Sequence, residues 1–367
     1  MSKFLQMHML VAYPPSNLNR DDLGRPKTAV LGGTQRLRVS SQSLKRAWRT
    51  SSVFAEEVSD TIGIRTKEMG NKIYEALITG KSLYNLVYGA GTDNPTTPVN
   101  EEDAKEWTMA IASIFGKLQA DKKTIEQLAH YSEAEIRKLD LLLRKIASRG
   151  SAPEKAELES LLTKNNTSAD IAMFGRMLAS SPAYNVEAAV QVAHAITVHR
   201  VAIEDDYFTA VDDLNRGEED LGAGHLGQIE FASGLFYLYA CVDTELLREN
   251  LGGDTNKAQK ALRALVSSAA CVPPKGKQNS FASRAYASYM LVEGGSQQPR
   301  SLAVSFLRHV NDDDVLGTAI IKLKHTRDSL DEVYGKCYEN AIEYDVQAGR
   351  GTLADVLTFV ESVYGGI

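Results

Sequence analysis

The sequence predicts an α+β fold in which a ferredoxin-like sheet is interrupted by a helical insertion. Residues 3–13 alternate apolar and polar side chains with a period of two, which is typical of a strand. Helical patterns run from about residue 60 to 190, and strand-like segments return at 229–242 and 280–295. The order strand, helix, insertion, strand, helix, strand suits a ferredoxin-like sheet, a topology that RNA-recognition modules share.

The first strand carries its apolar side chains on one face: Leu5, Met7, Met9, Val11 and Tyr13. Gln6 and His8 fall on the opposite face, so we expect the strand to be half-buried. Pro14 and Pro15 then end it.

A helix is predicted from about residue 42 to 58, because Ser40 and Ser41 offer an N-cap before an amphipathic pattern. One face carries apolar residues: Leu44, Ala47, Trp48 and Ala55. Another face carries Gln42, Lys45 and Arg49 at positions i, i+3 and i+7. This helix is therefore expected to pack against a core and to present a basic edge.

Residues 61–190 are expected to form the helical insertion, in which Ser132 and Glu135 have the spacing of a capping box. Residues 201–228 are acidic and glycine-rich, with strand-like runs at both ends. Because connections longer than about 12 to 15 residues are usually functional or disordered, we expect a long hairpin that projects from the sheet.

Charge is distributed unevenly along the 367 residues, which carry a net charge of -6. The first 50 residues contain nine basic and two acidic side chains, so the rest of the chain is strongly acidic. Local clusters of Lys and Arg bind phosphate backbones, so the pattern permits a polyanionic ligand, although a solvated basic face explains it equally well. No segment has the 18 consecutive apolar residues of a membrane span, and no secretory signal opens the sequence, so we expect a cytoplasmic protein.

Two sequence motifs that are typical of ligand binding lack the neighbouring sequence that such binding requires. Gly222, Gly224 and Gly227 spell G-x-G-x-x-G, but an acidic run rather than a strand precedes them, which excludes the dinucleotide-binding interpretation. His194 and His199 are five residues apart, which misses the i, i+4 spacing of two metal ligands on a helix. We therefore expect both histidines to be structural, and we expect the protein to bind no metal and no cofactor.

Two pairs of adjacent aspartates could hold a divalent ion for phosphodiester cleavage: Asp21 with Asp22, and Asp212 with Asp213. Adjacent loop residues rarely point the same way, and Arg20 and Arg25 offer salt-bridge partners to the first pair. A non-catalytic role is favoured, and a metal-dependent ribonuclease that uses Asp21 or Asp212 stays the alternative.

Seven residues near the start of the sequence have the chemistry of a phosphate-binding track: Arg20, Lys27, Ser40, Gln42, Lys45, Arg46 and Arg49. Gly32 and Gly33 would let backbone N–H groups approach an anion, and the helix start adds its dipole. None of these contacts reads a base, so such a track would hold nucleic acid of any sequence.

Seven segments carry a resemblance to a known family: NLNRDD, AVLGG, RLRVSSQSLKRA, DIAMFGRM, AHAIT, DYFTAVDDL and GHLGQIEFASGLFYLYA. Together they resemble the CasC-type backbone subunits of the type I-E CRISPR complex Cascade. The resemblance covers about two thirds of the chain and is densest in residues 1–50 and 168–260. It is much weaker across residues 60–165 and after about residue 275.

This resemblance implies a hand-shaped subunit with an RNA-recognition-motif-like palm, helical fingers and a β-hairpin thumb. The palm would comprise residues 1–60, 191–200 and 229–367, the fingers residues 61–190, and the thumb residues 201–228. Such subunits polymerise along crRNA as a helical, hexameric backbone without cleaving it. The other implied partners are the target DNA strand, paired through the crRNA, and the large, small, 5′-end cap and crRNA-processing subunits.

The resemblance also implies roles for particular residues. It assigns the RNA backbone to the basic track, and it assigns base kinking and stacking to four side chains: Met177, Phe208, His225 and Leu226. Core filling is the alternative interpretation of Met177 and Phe208. The thumb tip, residues 215–223, has extra polar sequence relative to the family's usual thumb.

Overall fold

A computed structural model describes residues 2–58, 62–89, 95–162, 168–210 and 225–364. The described chain is a mixed α+β protein, as predicted, and it divides into two compact units. The first unit comprises residues 1–57, 191–243 and 262–367, and the second comprises residues 58–190 and 244–261.

The described residues form eleven strands: β1 (Phe4–Ser16), β2 (Thr28–Leu31), β3 (Thr34–Val39), β4 (Ile64–Thr66), β5 (Ala129–Tyr131), β6 (Val190–Val192), β7 (Ala195–Thr197), β8 (Glu204–Ala210), β9 (His225–Asp243), β10 (Ala287–Gly295) and β11 (Asn340–Asp345). They also form thirteen α-helices: α1 (Ser41–Arg49), α2 (Ser52–Val58), α3 (Met69–Thr79), α4 (Leu83–Tyr88), α5 (Glu101–Ser113), α6 (Glu133–Arg149), α7 (Lys155–Glu159), α8 (Ala169–Phe174), α9 (Thr244–Asn250), α10 (Thr255–Cys271), α11 (Gln278–Phe281), α12 (Val315–Tyr334) and α13 (Leu353–Ser362).

A large antiparallel sheet organises the first unit. Its strands follow the order β11-β10-β1-β9-β7-β3-β2, and β6 and β8 also pair with β9. The segment predicted as strand at 280–295 is extended only from Ala287, because α11 and a loop occupy its first part. The sheet places α1 and the β8–β9 hairpin in the same unit, and these elements carry most of the predicted site residues.

Strand β1 is buried on both faces, so the expectation of a half-buried strand is wrong. β9 pairs with one edge of β1 and β10 with the other. The side chains of Gln6 and His8 are at most 2% exposed. They are accommodated because Tyr239 donates a hydrogen bond to Gln6 Oε1 at 2.9 Å and the Tyr237 hydroxyl lies 2.9 Å from His8 Nδ1. Buried polar groups tolerate such positions when they are hydrogen-bonded.

The helix predicted from 42 to 58 is two helices, α1 and α2, separated at Thr50 and Ser51. The hydroxyl of Thr50 donates to the carbonyl oxygen of Arg46 at 2.8 Å, and the Ser51 hydroxyl accepts from the backbone N–H of Phe54 at 3.1 Å. These side chains end one helix and cap the next, because Ser and Thr hydroxyls compete for backbone hydrogen bonds. The predicted N-cap of α1 is Ser40, which accepts from Ser43 N.

The turn between β2 and β3 explains the two glycines of the AVLGG segment. Leu31 pairs with Thr34, so Gly32 and Gly33 form a two-residue hairpin loop with φ of 58° and 75°. Two consecutive positive φ values define a type I′ turn, which favours glycine. A Cβ on Gly32 would also clash with the carbonyl group of Leu307. The predicted anion-binding role of these glycines is therefore not needed to explain them.

The second unit is mainly helical, with the small sheet β4–β5. The predicted capping box is confirmed at the start of α6, where Ser132 accepts from Glu135 N and the Glu135 carboxylate accepts from Ser132 N. Trp107 and Ile136 lie in its apolar core. In the part of the chain that the structure describes, no helix is long and apolar enough to cross a membrane.

Candidate nucleic-acid interface

Helix α1 presents the four predicted contact residues Gln42, Lys45, Arg46 and Arg49. Gln42 and Arg46 are exposed, whereas Lys45 and Arg49 are half-buried, and burial lowers the pKa of the Lys45 ammonium. Lys45 and Arg49 are separated by one helical turn and share a face of α1. The helix therefore positions two cations side by side at the surface of the first unit.

A second donor cluster lies at the amino-terminal end of α1. His194 Nδ1 accepts a hydrogen bond from Ser41 N at 3.3 Å, and Arg38 Nη1 lies 3.2 Å from the same nitrogen. Burial, followed by the charges of Arg38 and Lys27, lowers the pKa of His194. Because Nδ1 accepts the Ser41 N–H, the neutral ring carries its proton on Nε2. The exposed imidazole is therefore a neutral donor beside two cations.

The sequence predicts structural roles for both His194 and His199. For His199 this is confirmed, since its Nε2 accepts from the backbone N–H of Leu235 at 3.1 Å. His194 is structural in the same sense, since its Nδ1 accepts from the backbone N–H of Ser41, and its exposed ring also lies near Arg38 and Lys27. The AHAIT segment gave no local signal for this, because Arg38 lies 156 positions away in sequence.

Arg20 and Arg46 meet at a groove of about 420 Å³, which Asp21, Asp22 and Lys275 also line. Arg20 is exposed, and no local pattern in the sequence indicated Lys275. Three cations and two carboxylates therefore surround this groove, so its net charge is positive. Such a groove suits a phosphate group more than a carboxylate-bound metal ion.

Asp21 shapes its own loop. Its Oδ1 accepts hydrogen bonds from the backbone N–H groups of Leu23 and Arg25, each at 2.9 Å. The predicted salt bridge from Arg25 to this aspartate pair is wrong, because Arg25 Nε lies 3.1 Å from the carboxylate of Glu230 on β9. The described residues contain no cluster of three or more His, Cys, Asp or Glu side chains that could hold a metal ion.

The β8–β9 hairpin positions the predicted thumb residues. Phe208 is opposite Gly227, and its ring covers the space that a Cβ at Gly227 would fill. The side chain is 37% exposed, which does not fit a core-filling residue. His225 and Leu226 lie in β9, opposite Ala210 and Thr209. Aromatic side chains commonly cover a glycine on a neighbouring strand in this way.

Several predicted features lie outside the described residues, which stop at 210 and resume at 225. They are the alternative catalytic residue Asp212 with Asp213, the thumb tip at 215–223, and the glycines Gly222 and Gly224.

Met177 lies in the second unit and is 68% exposed, so it is not a core-filling residue. The preceding Arg176 is fully buried, and its Nη1 lies 2.7 Å from both carboxylate oxygens of Glu135. Arg176 also pairs with Val186 through two backbone hydrogen bonds of 2.9 Å. The buried guanidinium therefore anchors the segment from which Met177 projects.

A buried carboxylate supports the same segment at the start of α8. His130 Nε2 lies 2.8 Å from Asp170 Oδ2, and Oδ1 accepts from Gly63 N and from the Ser168 hydroxyl. Burial alone would raise the pKa of Asp170. The hydrogen bonds and the charge of His130 outweigh burial and bring the pKa down to about 2. Asp170 is thus an ionised structural anchor in the unit that carries Met177.

The solved structures include many chains similar to this one, and two examples show the extent of the similarity. One is described as a CRISPR RNA-guided surveillance complex, pre-nicking: the TM-score is 0.79, the identity is 27%, and the match covers 98% of this chain and 100% of that chain. The other is described as a CRISPR RNA-guided surveillance complex, with a TM-score of 0.59, 26% identity and 98% coverage of both chains. The fold is therefore that of a subunit found in CRISPR surveillance complexes.

The family model described as CT1975-like protein matches residues 5–355, and the chain belongs to this family of CRISPR-associated proteins. None of the curated proteins matches the sequence. The relation to CRISPR surveillance complexes that the quoted segments predicted is confirmed at this level.

Proposed function

We propose that the protein is the CasC-type backbone subunit of a type I-E CRISPR Cascade complex. Copies of the chain polymerise along a crRNA as a helical, hexameric backbone in the cytoplasm. They hold the phosphates of the crRNA without reading its sequence and present its bases for pairing with target DNA. The large, small, 5′-end cap and crRNA-processing subunits complete the complex.

The observation that carries this proposal is the arrangement of cations around α1. Lys45 and Arg49 share a helix face, and Arg20 and Arg46 line one groove with Lys275. A solvated basic face is expected to scatter its cations, whereas Arg20, Arg46 and Lys275 line one concave surface. Lys and Arg contacts of this kind hold phosphates and carry no base information, which suits a carrier of variable guides.

The assignment of the parts follows from the same proposal. The RNA-recognition-motif-like palm comprises residues 1–60, 191–200 and 229–367, the helical fingers comprise residues 61–190, and the thumb comprises residues 201–228, which include β8 and the start of β9. The thumb residues Phe208, His225 and Leu226, with Met177 of the fingers, kink and stack a nucleotide. Unstacking a base step costs a few kcal/mol, and stacking on a side chain returns about 1 to 3 kcal/mol per base.

Purification from cells that carry a repeat array tests the proposal directly. We expect the protein to elute with a high 260/280 nm absorbance ratio, and we expect ribonuclease but not deoxyribonuclease to lower it. The recovered RNA should contain the repeat sequence with different spacers. Protein that elutes free of RNA under these conditions would contradict the proposal.

We expect no cleavage of labelled RNA or DNA by the purified chain with magnesium or manganese. Asp21→Asn should change neither this result nor the fold, because the amide oxygen can still accept from Leu23 N and Arg25 N. Asp212→Asn serves as the matched variant for the second aspartate pair. If the unmodified chain cuts RNA and either substitution stops it, the ribonuclease alternative is correct.

A further inference from the structure

Three grooves in the first unit share lining residues, and each is lined by at least two cations, although two of the grooves are also lined by two carboxylates each. Arg20 lines both a groove of about 460 Å³ at the base of the β8–β9 hairpin and the groove of about 420 Å³ described above. Lys275 lines that second groove and a third of about 940 Å³ beside the α1–α2 junction. These shared residues connect the basic surface of residues 1–50 to a loop far along the chain.

The widest groove is lined by two cations, Lys275 and Arg284, and by no carboxylate among the described residues. Lys275 Nζ donates to the carbonyl and hydroxyl oxygens of Thr50, at 3.2 and 3.1 Å. An ammonium group has three protons, so a further acceptor can bind to it. Tyr286 also lines this groove and is 70% exposed. The groove thus offers positive charge beside an accessible aromatic ring.

The backbone of the same loop is strained. Lys277 and Ala282 flank α11 with φ of 49° and 48°, a region that residues other than glycine rarely adopt. Between Lys275 and Lys277, a Cβ on Gly276 would clash with the carbonyl oxygens of Asn17 and Leu18. Strained backbone of this kind is concentrated at ligand-binding sites. The loop is therefore held in one place, with Lys275 and Lys277 lining different grooves.

Gln278 gives an independent indication of a ligand. Its Nε2 donates to the carbonyl oxygen of Pro274 at 2.9 Å, which sets the orientation of the amide. Gln278 lines the widest groove, and its Oε1 is buried and accepts no hydrogen bond from the described residues. A buried acceptor of this kind is costly unless a donor reaches it. A ribose hydroxyl or the exocyclic amine of a base would supply that donor.

We propose that residues 275–286 form a nucleotide-binding loop, in which the widest groove holds a nucleotide of the bound RNA. Lys275 and Arg284 contact its phosphate, Tyr286 stacks on its base, and Gln278 Oε1 accepts from its ribose or base. The volume lies within the range of about 300 to 1,000 Å³ that is typical of small-molecule sites. This inference rests on the proposed RNA binding and adds a second strip of contacts to it.

RNA fits this groove better than a protein partner does. Lysine is depleted in interfaces between proteins, whereas Lys275 lines this groove with no carboxylate among the described lining residues. A positive groove with an exposed aromatic ring is the usual arrangement for single-stranded nucleic acid.

The test titrates the full chain with fluorescein-labelled oligouridine at several salt concentrations. Lys275→Ala with Arg284→Ala should weaken binding about tenfold or more and reduce the slope of log affinity against log salt by about 1.4. Lys105→Ala with Lys155→Ala is the matched control, since both lysines are solvent-exposed in helical ion pairs, and should leave the slope unchanged. Arg284→Ala alone removes an exposed side chain without touching the bond to Thr50, so it separates binding from folding.

A crosslinking experiment provides the second readout. Oligouridine that contains 4-thiouridine should crosslink to the peptide carrying Tyr286, and Tyr286→Ala should abolish that crosslink.

If the Lys275 and Arg284 variant binds with unchanged affinity and slope while reversal at Lys45 and Arg49 prevents binding, the inference is wrong and the proposed function survives. If oligouridine binds equally to all variants, both the nucleotide-binding loop and the proposed RNA-binding function are wrong. Impaired assembly between copies at unchanged RNA affinity would assign the groove to a protein interface instead.

Discussion

Charge reversal at both Lys45 and Arg49 is expected to abolish retention of the guide RNA. The two side chains lie one turn apart on α1, so Lys45→Glu with Arg49→Glu converts a local charge of +2 into -2 in every copy. Each phosphate contact along a single strand contributes about 0.7 to the salt slope, and the loss repeats along the filament. The amount of copurified RNA per protein, measured over a range of salt concentrations, checks this expectation.

The matched control reverses charge in the second unit, at Lys105 and Lys155, which are exposed on α5 and α7. Charge reversal at Lys105 and Lys155 changes the net charge by the same amount, and it should leave most of the RNA bound. The loss in the α1 variant should also be the same for guides of different sequence, because backbone contacts carry no base information. Unchanged retention at moderate salt would remove α1 from the interface, and a sequence-dependent loss would indicate base reading.

Replacing Arg176 by methionine is expected to destabilise the second unit by about 3 to 5 kcal/mol. The Arg176 and Glu135 side chains are both fully buried, so this substitution leaves the Glu135 carboxylate without its cation. The chain has two tryptophans, Trp48 in the first unit and Trp107 in the second, and both are buried. With Trp48→Phe as the background, denaturant unfolding followed by the fluorescence of Trp107 reports on the second unit.

A second substitution distinguishes an unpaired charge from lost packing. Glu135→Gln removes the charge and keeps an oxygen for the N–H of Ser132, whose bond to Glu135 Oε2 is 2.9 Å. Arg176→Met with Glu135→Gln should therefore recover most of the stability that Arg176→Met alone loses. Equal losses in the single and double variants would show that the cost comes from packing around the guanidinium.

Features encoded within a few residues were predictable. The capping box of Ser132 and Glu135 and the N-cap at Ser40 depend on spacings of three or four residues, and both are present. The break between α1 and α2 was missed, although the consecutive hydroxyl residues Thr50, Ser51 and Ser52 were a signal for it. Hydroxyl side chains that bond to the local backbone commonly end one helix and begin the next.

Features that join distant segments were not predictable. The local sequence pattern predicts that His8 faces water, because its partners Tyr237 and Glu293 lie more than 200 positions away in the sequence. The same holds for the cationic surface, where His194 joins Lys27 and Lys275 joins Arg20 only through the fold. Periodicity reports the face of an element, but it does not report which other element covers that face.

The central position of β1 has a consequence for synthesis of the chain. Both of its partners come late in the sequence, at His225–Asp243 and Ala287–Gly295. At a translation rate of about 5 to 20 residues per second, they emerge roughly 10 to 60 s after β1. During that interval β1 lacks the strands that pair with both of its edges, whereas the helices of residues 62–89 and 95–162 have already emerged and can pack against one another. Slow translation before residue 225 would therefore prolong the period in which the nascent chain is most prone to aggregate.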